Sequence, residues 1–136
     1  MRKLLFGNRT LVLVDSSESE ALTKLNNPFA ILLPAETSTP GPQQKRMIGV
    51  AIAHGCVEFC CIGRYAEALH DSIDAMLEER ELFNVVTTWH MNEPLEESIH
   101  YFINLAGSKP PTLVAVFDQA CELQQLLQAS FTQHRG

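Results

Sequence analysis

Apolar residues along the chain alternate between short continuous runs and longer stripes at helical spacing. The stretch "KLLFGNRTLVLVD" (3–15) holds two apolar runs on either side of Gly7-Asn8. Glycine supplies the positive φ that a two-residue hairpin turn needs, so this stretch predicts a hairpin. "FAILLP" (29–34) is apolar throughout and predicts a strand covered on both faces. "CVEFCCIG" (56–63), "LFNVVTTW" (82–89) and "PTLVAVFD" (111–118) read as further strands.

The segments between them have the period of helices. Residues 17–26 predict a short helix ending at Asn26-Asn27-Pro28, and 43–54 a longer one stopped by Gly55. Over 65–81, Ala66, Leu69, Ile73, Met76 and Leu77 form one apolar stripe. Asn92 or Glu93 is placed to cap the next helix, with Pro94 in its first turn and Glu96 and Glu97 near its positive end. Its apolar face is Leu95, Ile99, Phe102, Ile103 and Ala106, and Gly107 is its expected stop. A last helix, 119–133, carries Ala120, Leu123, Leu126, Leu127 and Phe131 on one side. The Pro-, Ser- and Thr-rich "AETSTPGPQQ" (35–44) reads as a surface loop.

From residue 56 onward strand and helix alternate, and crossovers of that length make strands parallel. The expected architecture is a single α/β domain over 1–136. It is a three-layer α/β/α sandwich around a mostly parallel sheet of four to five strands, with an N-terminal hairpin or edge strand.

Composition supports a packed core, with 46% apolar and 19% charged residues. The net charge of −6, with the basic residues scattered, argues against nucleic acid and anionic membranes as partners. No apolar run approaches the roughly eighteen residues of a membrane span. The first apolar run breaks at Gly7-Asn8, too early for a secretion signal, so a cytoplasmic location is expected.

The four cysteines, Cys56, Cys60, Cys61 and Cys121, contain no C-x-x-C pair and read as reduced, mainly buried thiols. In "CCIGR" an arginine follows two cysteines, a setting that suits thiol chemistry on an anion. The two residues between Cys61 and Arg64 are too few to wrap a phosphate. None of the five histidines pairs with another at i, i+4 or with cysteine at a zinc spacing, so no metal and no cofactor is expected. His70 and His100 fall on the polar sides of their helices and read as solvated. Phosphate-loop, dinucleotide-binding and nucleophile-elbow glycine motifs are missing from the sequence.

Ligands of open parallel sheets bind beyond the carboxyl ends of the strands. Those ends carry Asp15, Ser16 and Ser17; Gly63 and Arg64; Thr87, Thr88 and His90; and Asp118 and Gln119. The candidate ligand edge is therefore Asp15, Arg64, Thr88, His90 and Asp118. Arg64 would anchor an anionic or nucleotide-like ligand and His90 would act as acid or base. The same residues serve equally as turns, strand ends and a cap for the last helix. Trp89, the only tryptophan, suits core packing, a lid, or a stacking surface.

A second candidate surface is the acidic stripe of helix 65–81, with Asp71, Asp74 and Glu78 as its partner face. With no catalytic motif in the sequence, the first expectation is a small non-catalytic binding or regulatory domain that recognises a protein partner, a homodimer being one form of this. The alternative is a domain, or an enzyme, that binds a nucleotide- or phosphate-like small molecule at the carboxyl edge.

Overall fold

The regular structure of the computed structural model comprises six strands and four α-helices among the residues it describes: 2–6, 9–25, 28–106, 112–119 and 121–133. The strands are β1 (Arg2–Phe6), β2 (Arg9–Val14), β3 (Phe29–Pro34), β4 (Cys56–Ile62), β5 (Val86–His90) and β6 (Thr112–Val116). The helices are α1 (Pro42–Ala53), α2 (Ala66–Glu79), α3 (Leu95–Asn104) and α4 (Glu122–Gln133). The short helix anticipated before residue 28 is a 3-10 helix, Ser19–Lys24.

All six strands lie in one sheet, in the order β1-β2-β6-β3-β4-β5. β1 runs antiparallel to β2 with Phe6 opposite Arg9, the register of a two-residue hairpin. Gly7 and Asn8 themselves lie outside the described residues, as do Asn26, Asn27, Gly107, Ala120 and His134. The other pairings are all parallel. This is the expected sandwich, with six strands rather than four to five and the hairpin at one edge.

Strand pleating divides the core in two. Val12, Ile31, Phe59 and Val114 face Met47 and Ile48 of α1 and Leu69 and Ile73 of α2. Leu11, Leu32, Leu113 and Ala115 face Ile99 and Phe102 of α3 and Leu123 and Leu127 of α4. Burial on both faces is why the central strands read as unbroken apolar runs; Phe29 through Leu33 are all 0% exposed. The chain runs outward from β3 through α1, β4 and α2 to β5 on one face. It then returns along the other face through α3 and inserts β6 between β2 and β3.

Three boundaries differ from expectation for identifiable reasons. β5 begins at Val86 rather than residue 82, because the preceding residues close the end of α2. Glu81 takes a left-handed φ of 56°, and the N–H groups of Glu81 and Leu82 donate to the carbonyls of Glu78 (3.0 Å) and Leu77 (2.9 Å). That pair of hydrogen bonds is a Schellman cap, and Leu82 packs in the same cluster as Leu77, the hydrophobic contact that often accompanies such caps. α3 is capped by Pro94 rather than Asn92 or Glu93, its carbonyl accepting from Glu97 at 3.0 Å. Asn92 instead makes the preceding turn at φ 60°, which its short polar side chain tolerates. α4 starts at Glu122, leaving Asp118 and Gln119 in a connection outside the helix. No helix among the described residues is long and apolar enough to cross a membrane.

Candidate functional site

The connection leaving β3 enters α1 on one face, while the one leaving β6 enters α4 on the other. Between two such diverging connections an open α/β sheet leaves a crevice at its carboxyl edge. A cleft of about 680 Å³ lies there. Its floor is Pro34, Val116 and Phe117; its walls are Glu36 and Thr37 after β3, Gly41–Gln44 at the start of α1, and Ser16, Asp118, Gln119 and Cys121.

One polar group ties three of these elements together. Asp118 accepts from the Ser16 backbone N–H at 2.7 Å and from the Ser16 hydroxyl at 2.9 Å. The same hydroxyl lies 3.1 Å from the side-chain amide of Gln43 on α1. A hydroxyl has one proton, so with Asp118 accepting it, the second bond is satisfied when the Gln43 amide presents its NH2. Ser16, only 5% exposed, thereby locks β2, β6 and α1 around the cleft mouth.

The cleft is electrically negative in character. Two carboxylates, Glu36 and Asp118, line it, and no Lys, Arg or His does so among the described residues. Against them stands the N-terminus of α1, whose cap Gly41 offers no side chain and whose first turn has no acidic residue. That end carries roughly half a positive charge. Pro42 at the start of the helix lacks an N–H, leaving the amides of Gln43 and Gln44 as donors toward the mouth.

The structure separates the five residues of the expected ligand edge. Asp118 is in the cleft wall. Asp15 lies at the end of β2 but makes a turn: its carboxylate accepts from Ser17 N–H at 2.9 Å and from the Ser17 hydroxyl, and these bonds hold it below the usual carboxylate range. Arg64 is exposed beyond β4, its guanidinium 5.5 Å from the centre of the Tyr65 ring. Thr88 and His90 belong to β5 itself, two strands away from the cleft. None of Arg64, Thr88 or His90 lines the cleft.

Thr88 and His90 instead take part in a polar cluster under α3. Its centre is Glu58 on β4, 3% exposed. One oxygen of Glu58 accepts from Tyr101 Oη at 2.8 Å, Thr88 Oγ1 at 2.9 Å and Cys60 Sγ at 3.3 Å. His90 stacks at a tilt on Tyr101, 4.7 Å between ring centres, and its Nδ1 is 2.9 Å from Glu93. The phenol of Tyr101 is held well above its ordinary pKa by burial and by its bond to Glu58.

The thiol and helix readings also resolve. Burial raises the pKa of Cys56 and Cys60, and pushes that of Cys61 up to about 12, so neither cysteine of "CCIGR" is a nucleophile near neutral pH. Cys121 is partly exposed in the cleft. His70 is not simply solvated: it stacks on Trp89 at 5.5 Å and bridges Asp71 (3.1 Å) and Asp74 (3.3 Å). Among the described residues, no three His, Cys, Asp or Glu side chains gather closely enough to hold a metal ion.

Sequence reasoning passed over Glu36, Thr37, Gln43 and Gln44 because they sit in and after the Pro-rich loop. The signal was there in Gly41-Pro42, a helix start placed just beyond a buried strand. Glu58 was legible too, as the one charge inside "CVEFCCI".

Fold and cleft together define a doubly covered, mostly parallel α/β sheet protein with a crevice at its carboxyl edge. Residues 10–134 match the family described as Domain of unknown function (DUF7684), and the chain belongs to that family. None of the curated proteins compared with the chain matches it.

Proposed function

We propose that this protein is a small-molecule-binding domain whose ligand occupies the cleft between the carboxyl ends of β3 and β6. The observation that carries this reading is the coincidence of a cleft of about 680 Å³ with the point where the two connections part to opposite faces. Cavities of that volume accommodate ligands of metabolite or drug size.

The lining selects the ligand chemistry. Two carboxylates facing half a helix-end charge disfavour a phosphate, which among the described residues has no Arg or Lys to meet there. A neutral or amine-bearing polar molecule fits better: its amine or hydroxyls donate to Asp118 and Glu36, its acceptors take the α1 amides, and its apolar surface rests on Val116 and Phe117. This moves the small-molecule reading away from nucleotides and phosphates.

A thermal-shift screen tests it, using neutral polyols, nucleosides and amines beside their phosphorylated counterparts. A ligand at a hundred times its Kd adds about 2.7 kcal/mol, a shift of several degrees for a domain of this size. The shift should vanish in Gln43→Trp, which fills the cleft, and the ligand should shield Cys121 from alkylation. Shifts only from phosphorylated compounds, or shifts that persist in Gln43→Trp, would overturn the proposal.

A further inference from the structure

The two edges of the sheet are protected very differently. β1 carries exposed Arg2 and Lys3, charges of the kind that keep an edge strand from pairing with another chain. β5, "VTTWH", has no Lys, Arg, Asp, Glu or Pro, and no strand among the described residues pairs with its outer side. The direction of its free backbone groups follows from one bond. The His90 carbonyl accepts from Gly63 N–H at 3.2 Å and so points toward β4. Backbone groups alternate sides along a strand, which turns the N–H and C=O of Thr87 and Trp89 outward.

Apolar surface accompanies this edge. Trp89 is 45% exposed, Val86 51% and, just before the strand, Phe83 80%. Acidic groups flank it on both faces. On the α2 face, His70 stacks on Trp89 and holds Asp71 and Asp74 beside it. On the α3 face, Glu93 is bonded to His90. A second copy of this chain paired edge to edge would bring these carboxylates together, whereas a cationic strand would meet them favourably.

We propose that the outer edge of β5 docks an extended, basic segment of a partner protein by strand addition. The segment adds a seventh strand beside β5. Its backbone pairs with Thr87 and Trp89; on the α2 face its Lys or Arg residues meet Asp71 and Asp74 beside Trp89, and on the α3 face its apolar side chains cover Val86. The proposal stands apart from the cleft, which lies across the sheet at β3 and β6, and it gives the acidic stripe of α2 a role as the charged flank of this edge.

Trp89 is the only tryptophan, so its emission reports directly on the edge. The probes are two capped eight-residue peptides, one alternating lysine with valine and one alternating glutamate with valine. The lysine peptide should shift Trp89 emission in a saturable way, at least tenfold more tightly than the glutamate peptide, and more weakly as salt rises. Asp71→Lys combined with Asp74→Lys, two substitutions at exposed or half-exposed positions, should abolish or reverse that preference while leaving the melting profile cooperative. A lysine peptide with proline at alternate valines, unable to pair, should not bind. Equal responses to the two charged peptides, or none at millimolar concentration, would overturn the proposal. So would concentration-dependent dimerisation abolished by Trp89→Lys, which would assign the edge to a second copy.

Discussion

Tyr101 reaches from α3 across to β4 and places its hydroxyl 2.8 Å from the carboxylate of Glu58, which is 3% exposed. A charge this deep is tolerated only when its lone pairs are met, and Thr88 and Cys60 supply further donors to the same oxygen. Tyr101→Phe removes one donor from a buried carboxylate and should cost about 1.5–3 kcal/mol. Urea midpoints with an unchanged slope measure the loss. Combined with Glu58→Gln, the two losses should fall short of additive, because both act on one network. Full additivity would mean that the bond contributes nothing of its own.

The buried thiols set a ceiling on alkaline stability. Folding raises the pKa of Cys61 from the ordinary 9.0 to about 12, and burial also raises Cys56 and Cys60. Above pH 9 the unfolded chain sheds thiol protons that the folded chain keeps. Stability is therefore intact below about pH 9 and falls as pH rises toward 12, by up to about 1.4 kcal/mol per pH unit for each thiol. Thermal unfolding between pH 8 and 11 should show this slope, reduced in Cys61→Ala. At pH 8 a thiol reagent should modify Cys121 in the native protein and the other three only on unfolding.

Glu81 occupies the left-handed position of the Schellman cap that ends α2, at φ 56°. Glycine adopts that conformation without strain, so Glu81→Gly should stabilise the protein by about 0.5–1 kcal/mol. The substitution also removes an exposed negative charge, so Glu81→Gln is the proper control. A glycine variant no more stable than the glutamine variant would show the cap to be unstrained.

Arg9 supplies from β2 a cation that α3 lacks in its own last turn. Its guanidinium donates to the carbonyls of Ile103 and, at 3.2 Å, Ala106, where the helix dipole is negative. Arg9→Met should cost about 2–3 kcal/mol, and Arg9→Lys less, since it keeps the charge but loses the fork. Hydrogen exchange should show the end of α3 loosening first. Uniform loosening of the whole sheet would argue that Arg9 supports β2 instead.

The hairpin pairing, the buried central strands and the stripes of α2 and α3 were legible because each is a local pattern that the packing reinforces. Gly55 was read as the stop of α1 and holds φ 96° in the structure. What was not legible was set at a distance. Asp118 reads as a helix cap until β6 is placed beside β2, where it meets Ser16 instead. His90 ends β5 and Arg64 follows the neighbouring β4, and both were expected to share a site with Asp118. The order β6-β3-β4-β5 puts β3 between Asp118 and Arg64, and both β3 and β4 between Asp118 and His90, and no local pattern in the sequence encodes strand order. The start of β5 was misjudged because a glutamate does the work that glycine does in most such caps.

The insertion of β6 between β2 and β3 has a consequence for how the protein is made. The β1-β2 hairpin and β3, all from the first 34 residues, cannot join into one sheet until Thr112–Val116 has been synthesised. A nascent chain therefore holds two half-sheets with unpaired inner edges for most of its translation, and the final docking step is nonlocal and slow. Aggregation during expression should be most sensitive to the time spent between β3 and β6, and synonymous changes that slow that interval should lower the yield of folded protein without altering the stability of what does fold.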